Sequence, residues 1–115
     1  PLHQRRDGDR FIIGLRIGEK HTNSQGICHG GVLATLADLA LGYAMIGKVE
    51  GEAGFVTVHL SIDYAGSARP GDWVESDVEV QRTGARMAFC NGFLVVGDKR
   101  IVRMSSVFAL AGNKA

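Results

Sequence analysis

The sequence GGVLATLADLALGYAMIG occupies residues 30–47 and decides the fold. It predicts one long helix over about 30–46, and a helix that is apolar around its whole circumference is normally buried. Asp38 is its only charged residue, and no residue three or four positions away is basic. Because a buried, unpaired carboxylate is costly and persists mainly where it is used, Asp38 is a candidate functional residue. The alternative is that Asp38 lies on a solvent-facing stripe or has a partner elsewhere in the chain.

Alternating apolar residues predict strands on both sides of this helix. One strand precedes the helix and four follow it, near residues 11–17, 56–64, 74–83, 87–95 and 101–110. Short connections favour antiparallel neighbours, and a helix that is apolar on all sides must be surrounded. The sequence therefore predicts an α+β domain in which a curved antiparallel sheet wraps around one long central helix.

The remaining segments complete a single domain over residues 1–115. Residues 1–9 are polar and predict a loose N-terminal arm, and residues 111–115 predict a fraying tail. Within the first strand after the helix, Thr57 and His59 alternate with apolar residues, which predicts that they share one polar face.

Composition narrows the functional classes. The net charge of +1 gives no electrostatic reason to expect a nucleic-acid partner. The apolar run over 32–45 is too short to span a bilayer, so we expect no membrane partner, and the polar start PLHQRRDGDR indicates no signal peptide. Cys28 and Cys90 have neither CxxC nor zinc-ligand spacing, so we expect no metal, no cofactor and a reducing, cytoplasmic location. Cys28, just ahead of the helix, is a second candidate nucleophile.

His29-Gly30-Gly31 stands at the start of the helix, where backbone N–H groups have no intrahelical partner. The helix dipole adds partial positive charge there, and glycine lets another molecule approach closely. The pattern therefore predicts an oxyanion hole in which the N–H of Gly30 or Gly31 donates to a carbonyl oxygen. The alternative is that the paired glycines only allow the helix to pack closely.

The segment NSQGICHGGVLATLAD, residues 23–38, combines these features. It resembles the motif of the hotdog-fold thioesterases, particularly the PaaI-type acyl-CoA thioesterases. The segments GFVTVHLSIDYAGSARPGD and VEVQRTGARMAFC also look like the family's strand after the helix and its next hairpin. The similar segments span about Phe11 to Leu110. The resemblance implies a hotdog fold, which requires the order of strand, helix and four strands derived above.

The resemblance also implies hydrolysis of an acyl-CoA to a free acid and CoA. Asp38 would act on the thioester carbonyl, as general base for water or as nucleophile. The Gly30 N–H would polarise that carbonyl, and Asn23 would position the water or the thioester. His29 would organise the loop or contact the thioester end. Thr57 corresponds to a strand hydroxyl that orients water from the neighbouring subunit.

Substrate and subunit contacts follow from the same resemblance. The turn with Gly84, Arg82 and Arg86 would meet the CoA nucleotide or phosphates, although exposed arginines alone are ordinary surface charge. Gly31 would line the cleft. His59, near Thr57 on its strand, is a further candidate for the cleft lining, and the alternative is an ordinary histidine on the strand surface. The cleft would form between two subunits, so the homodimer would be the smallest active unit and a homotetramer is expected. The carboxylate of one chain would face the backbone donors of the other. The acyl group would be aromatic, such as phenylacetyl, or of medium chain length.

Two other functions stay open at this stage. A hotdog-fold hydratase or dehydratase would share the fold, but its motifs place a catalytic histidine and a carboxylate differently. A non-catalytic acyl-CoA-binding module would keep the cleft without turnover. The joint presence of Asp38, Asn23 and the His-Gly-Gly motif argues against simple binding, which needs no buried carboxylate.

Overall fold

The computed structural model describes residues 1–46, 48 and 54–110. Within this part of the chain, six strands are arranged around one α-helix, and a short 3₁₀ helix precedes it. The bounds are β1 His3–Asp7, β2 Arg10–Arg16, the 3₁₀ helix Glu19–His21, α1 Gly30–Ala44, β3 Phe55–Tyr64, β4 Trp73–Thr83, β5 Met87–Val96 and β6 Lys99–Leu110.

The strands form one antiparallel sheet in the order β1-β2-β4-β5-β6-β3. The helix packs against strands from β2 to β3 across this sheet. The predicted α+β class, with one helix against an antiparallel sheet, is confirmed. β3 follows the helix in sequence but lies at the edge of the sheet, beside the last strand.

The prediction of a loose arm over residues 1–9 was wrong. β1 pairs with β2 in a hairpin that turns at Gly8, whose φ is 65°. All five residues of β1 are exposed, so no apolar alternation could reveal the strand. Contacts outside the core help to hold it, since the guanidinium of Arg6 lies 4.6 Å from the centroid of the Phe11 ring.

One side of helix α1 packs into the core. Its buried side chains recur at helical spacing, and they are Leu33, Leu36, Ala37, Ala40, Leu41 and Ala44. Each long strand of the sheet turns alternate residues toward them. The residues on the sheet side of this core include Ile13, Val74, Leu94, Met104 and Phe108.

The opposite side of α1 is exposed, so the prediction that the helix is buried all round was wrong for a single chain. Gly31, Thr35, Asp38 and Leu39 form this exposed stripe. A single helix on a single sheet makes two layers, and the sheet covers only the side that it contacts. Asp38 was expected to be buried and is instead solvent-exposed in one chain.

β3 contains a bulge at Val58, because its pairing with β6 shifts by one residue between Thr57 and His59. Thr57 lies opposite Phe108, which is buried in the core under the helix. His59 lies opposite Val107, and therefore on the other face of the sheet. The prediction that Thr57 and His59 share a face was wrong, because it assumed a strand without an extra residue.

The predicted fraying tail over 111–115 lies outside the described residues. Where the structure describes the chain, no helix is long and apolar enough to cross a membrane.

Candidate active site

Asn23 organises the loop that leads into α1. Its side-chain Oδ1 accepts hydrogen bonds from the N–H groups of Gln25 at 2.9 Å and Ile27 at 3.4 Å. Its backbone N–H donates to the Ile27 carbonyl at 2.9 Å. The amide oxygen of Asn23 is therefore used by the loop. Its Nδ2 amino group is the part left to donate to a substrate or a water molecule.

His29 is the N-cap of α1. Its Nδ1 accepts a hydrogen bond from the Gly31 N–H at 2.9 Å, and its backbone N–H donates to the His21 carbonyl at 2.7 Å. When Nδ1 of a neutral imidazole is an acceptor, the ring proton lies on Nε2. His29 therefore stabilises the helix start and keeps one ring N–H that can donate outward.

The Gly30 N–H is the first free donor of the helix. Within the described residues it has no acceptor, whereas the Gly31 N–H donates to His29 and the next two N–H groups donate to the His29 carbonyl. The carbonyl oxygen of Gly30 accepts a hydrogen bond from the Tyr64 hydroxyl at 2.8 Å. Because a free N–H at the positive end of a helix dipole suits an oxyanion, Gly30 fits that role better than Gly31.

Asp38 lies two turns further along the helix. Eight residues separate it from Gly30, which corresponds to about 12 Å along the axis. None of the ion pairs among residues 1–46, 48 and 54–110 includes Asp38. A catalytic base must come within hydrogen-bond reach of the proton that it removes. Along the helix axis of one chain, Asp38 is therefore too far from the Gly30 N–H for the two groups to contact the same atom.

The β4–β5 turn holds the residues predicted to meet CoA. Arg82 and Arg86 are exposed, and the Gly84 N–H closes the turn by donating to the Met87 carbonyl at 2.8 Å. The Arg86 carbonyl accepts from the Leu110 N–H at 2.8 Å, which attaches the turn to the end of β6.

Thr57 lies at the same end of the sheet as this turn. The residue of β3 that bonds to Gly30 is Tyr64, which is seven residues further on, so Thr57 and Tyr64 lie about 23 Å apart along the strand. His59 is on the outer face of the sheet, turned away from the helix. The structure thus groups Asn23, His29, Gly30 and Gly31 at one end, and it separates Asp38, Thr57, His59, Arg82, Gly84 and Arg86 from them.

Neither cysteine has the environment of a nucleophile. Cys28 and Cys90 are free and buried. Burial raises the pKa of the Cys28 thiol, and it raises the pKa of the Cys90 thiol to about 11. Because the thiolate is the nucleophilic form, these raised pKa values argue against the alternative in which Cys28 attacks the substrate.

The sequence did not identify Tyr64 and His21 as parts of this site. In the sequence Tyr64 is only one residue of a predicted strand, and nothing in that pattern shows that its hydroxyl reaches the Gly30 carbonyl. The Nδ1 of His21 accepts from the Gly18 N–H at 2.8 Å, and its carbonyl accepts from His29. No sequence spacing connects His21 with His29, because a bridge between Thr22 and Cys28 brings them together.

Comparisons with known proteins identify the family of this chain. Residues 25–102 match the thioesterase superfamily. PA0474 of Pseudomonas aeruginosa, which is named as an esterase, is 45% identical over 111 residues, covering 96% of this chain and 83% of that protein. Acyl-coenzyme A thioesterase 13 of Homo sapiens is 32% identical over 80 residues, covering 70% of this chain and 56% of that protein. The chain belongs to the thioesterase superfamily, whose enzymes hydrolyse thioesters.

Solved structures confirm the hotdog fold. The PaaI protein from the phenylacetic acid degradation operon of E. coli has a TM-score of 0.87 at 20% identity, with 98% of this chain and 81% of that chain covered. BH2602 from Bacillus halodurans, solved with CoA, has a TM-score of 0.86 at 21% identity, with 97% and 75% covered. These TM-scores show that this chain, with one helix packed against a six-stranded antiparallel sheet, shares their fold.

Proposed function

We propose that this protein hydrolyses acyl-CoA thioesters at a site shared between two copies of the chain. The observation that carries the proposal is the free Gly30 N–H at the start of α1, held between the His29 cap and the Tyr64 hydrogen bond. The relationship to Acyl-coenzyme A thioesterase 13 and the likeness to a protein solved with CoA support acyl-CoA as the substrate.

The spacing along α1 supports a site built from two chains. Because Asp38 and Gly30 of one chain are about 12 Å apart along the helix, the two groups can meet at one thioester only if they come from different copies. Asp38 is on the exposed stripe, where a second chain could reach it.

β3 supplies a suitable contact between the copies. It is an edge strand, so one row of its backbone N–H and C=O groups is open to pairing. It also exposes large apolar side chains, namely Val56, Val58 and Leu60. A homodimer that extends the sheet through two antiparallel β3 strands would cover both features.

Antiparallel pairing would also bring the separated site residues together. A two-fold axis near the middle of β3 sets the Thr57 end of one strand beside the Tyr64 end of the other. Thr57 of one copy then approaches Gly30 of its partner. The β4–β5 turn, which lies at the Thr57 end, would follow it toward the same site.

The chemistry assigns one role to each group. Water attacks the thioester carbonyl carbon while Asp38 of one copy accepts its proton, and the carbonyl oxygen becomes negative against the Gly30 N–H of the other copy. The tetrahedral intermediate then expels the CoA thiolate and leaves the free acid. In the alternative route the Asp38 carboxylate attacks the carbonyl carbon, the C–S bond breaks and the CoA thiolate leaves, and water then hydrolyses the resulting anhydride to the free acid and the Asp38 carboxylate. Both routes need an unprotonated carboxylate.

The remaining assignments belong to the same proposal. The Asn23 amino group would hold the water or the thioester, and Thr57 would orient water. Gly31 and His59 would contact the substrate, with His59 approached from the outer face of the sheet. Arg82 and Arg86, at the turn with Gly84, would meet the CoA phosphates. Assembly into a homotetramer and a cytoplasmic location are further parts of the proposal.

The first experiment measures thiol release from a panel of aliphatic and aromatic acyl-CoAs by wild type, Asp38→Asn and Asp98→Asn. Asp98 is an exposed aspartate in the β5–β6 turn, outside the site, and serves as the matched control. We expect Asp38→Asn to lose about a hundredfold or more in kcat, because it keeps the shape of the side chain but removes the carboxylate. Asp98→Asn should retain wild-type activity.

Each other result has a definite meaning. Activity that survives in a folded Asp38→Asn variant would show that another residue is the base or nucleophile. If wild type binds acyl-CoA without releasing thiol, the protein is a binding module and the proposed hydrolysis is wrong. Hydration of an enoyl-CoA without thiol release would identify a hydratase.

A further inference from the structure

His21 connects the short 3₁₀ helix to the start of α1, through both its side chain and its backbone. Its ring Nδ1 accepts a hydrogen bond from the Gly18 N–H at 2.8 Å, and its carbonyl oxygen accepts one from the His29 N–H at 2.7 Å. His29 is the N-cap of α1, and the next backbone N–H is the free donor of Gly30. We call Gly18, His21 and His29 the histidine latch. A continuous series of hydrogen bonds therefore leads from Gly18 to the residue that precedes the Gly30 donor.

Both rings of the histidine latch accept a backbone N–H at Nδ1. The ring of His21 accepts from Gly18, and the ring of His29 accepts from Gly31 at 2.9 Å. A neutral imidazole has one nitrogen that accepts, whereas both nitrogens of a protonated imidazole donate. Protonation of His21 and its hydrogen bond from Gly18 therefore exclude each other. Because an unperturbed imidazole takes up a proton near pH 6.5, this hydrogen bond depends on pH.

The described surroundings of His21 offer no anion to a protonated ring. None of the ion pairs among residues 1–46, 48 and 54–110 includes a histidine. Glu19 and Lys20, the charged residues of the same short helix, are of opposite sign. Apart from His21 and His29, the described residues that line the space beside the two rings have no ionisable side chain. In the proposed two-chain site Asp38 of the second copy would approach His29, so the latch is tested at His21.

We propose that His21 is a positioning residue for the Gly30 donor and that protonation of its ring weakens catalysis below about pH 6.5. This inference rests on the proposed function, because it takes the Gly30 N–H as the oxyanion donor. With His21 neutral, the histidine latch fixes the backbone that leads to Gly30, and the donor is held in place before the reaction. With His21 protonated, the Gly18 N–H loses its acceptor and this backbone is held less firmly. His21 acts through the backbone and does not touch the substrate.

Two substitutions separate the acceptor of His21 from its proton. His21 is the third residue of its helix, the position at which a capping box uses a glutamine or glutamate side chain to accept the N–H of the residue before the helix. His21→Gln therefore keeps an acceptor for Gly18 that does not titrate, whereas His21→Leu removes the acceptor. His3→Gln is the matched control, because it removes an exposed imidazole of β1 that lies beside Trp73, outside the site.

The test measures kcat/KM for one acyl-CoA between pH 5.5 and pH 8 with wild type and the three variants. At pH 7.5 we expect His21→Leu to lose about tenfold, because the Gly30 donor is held less firmly, and His21→Gln to stay within about threefold of wild type. Between pH 7.5 and pH 5.5 wild type should lose about fivefold more activity than His21→Gln, since only the imidazole takes up a proton in this range. His3→Gln should follow the wild-type profile.

Nuclear magnetic resonance tests the histidine latch without turnover. At pH 8 the ring nitrogen shifts of wild type should place the proton of His21 on Nε2, and the Gly18 amide proton should exchange slowly with solvent. The Gly18 amide signal of wild type should move as pH falls from 7.5 to 5.5, and in His21→Gln it should stay in place. A proton on Nδ1 of His21 at pH 8 would overturn the latch.

Failure of the histidine latch and failure of the proposed function give different results. Parallel pH profiles of wild type and His21→Gln, or equal losses in His21→Gln and His21→Leu at pH 7.5, would overturn the latch while thiol release upheld the proposed function. If no acyl-CoA is hydrolysed, the proposed function is wrong and the resonance measurements decide about the latch alone. A Gly18 signal that moves with pH in wild type and not in His21→Gln would support it, and the same behaviour in both would overturn it.

Discussion

The hydroxyl of Tyr64 donates a hydrogen bond to the carbonyl oxygen of Gly30 at 2.8 Å. It joins the end of edge strand β3 to the first residue of α1. The same ring packs on Gly30, where a Cβ atom would lie 3.4 Å from the ring carbon Cζ. On the other side, the Nδ1 atom of His29 accepts a hydrogen bond from the Gly31 N–H. The proposed oxyanion donor is therefore held from the strand and from the loop at once.

Tyr64→Phe removes this hydrogen bond and keeps the ring. A typical hydrogen bond contributes about 0.5–1.5 kcal/mol to stability, so we expect the free energy of unfolding to fall by about 0.5–1 kcal/mol. The activity should fall by up to about tenfold, because the Gly30 N–H is then held less firmly. Urea unfolding and steady-state kinetics measure the two effects.

Tyr43→Phe is the matched control for that experiment. It removes a hydroxyl for which the described part of the chain shows no acceptor, on a ring that is partly buried, whereas Tyr64 is 53% exposed. Equal losses of stability in the two variants would contradict a specific role for the bond between Tyr64 and Gly30.

Two variants separate the N-capping function of His29 from any direct action of its imidazole on the substrate. His29→Ala should lower the free energy of unfolding by about 1 kcal/mol, because the Gly31 N–H loses its acceptor. His29→Asn should restore that stability, since asparagine is a good N-cap, and should recover activity to within about tenfold of wild type. A stable His29→Asn protein that stays about a hundredfold less active would show that the imidazole acts on the substrate itself.

The sequence predicted the parts of the fold that follow from periodicity. The helix and the alternating apolar residues of β2 to β6 stand out because one side of each packs into the core. β1 was missed because its five residues are all exposed, and it is held by backbone pairing and surface contacts. The bulge at Val58 was missed because a single extra residue in a strand leaves the apolar composition unchanged.

Only the part of the candidate site whose residues are close together in the sequence could be predicted from it. Asn23, His29 and Gly30 lie within one loop and helix start, so one motif contained them. Tyr64 reaches this region through the fold, and no local pattern could show it. The sequence also suggested a buried Asp38, since the apolar residues around it concealed a stripe that the sheet leaves uncovered.

Alkaline pH should destabilise the protein through Cys90. Burial raises its thiol pKa from 9.0 to about 11. The unfolded chain loses the thiol proton near pH 9 and the folded chain keeps it until about pH 11, so the stabilising contribution is complete below pH 9 and is lost as pH rises toward 11. The loss can reach a few kcal/mol.

Cys90→Ala isolates this effect from the other groups that titrate at high pH. The variant should start less stable than wild type, because a buried side chain beside Met45 is shortened. Between pH 9 and pH 11 its stability should fall less steeply than that of wild type, as measured by urea unfolding at each pH. Parallel curves would contradict a buried, protonated Cys90.

A site shared by two chains predicts complementation between inactive variants. Asp38→Asn removes the carboxylate. Asn23→Asp keeps the oxygen that accepts hydrogen bonds from the Gln25 and Ile27 N–H groups, and it replaces the Nδ2 amino group proposed to hold the water or the thioester. Each homomeric variant should be nearly inactive. In a heterodimer, isolated with two affinity tags, one site would carry both changes and the other would carry neither. Such a heterodimer should therefore recover about half of the wild-type activity.

If Asp38 and Asn23 of the same chain served one site, every site of the heterodimer would carry one change. The heterodimer would then be as inactive as its parents, and the two-chain site would be wrong.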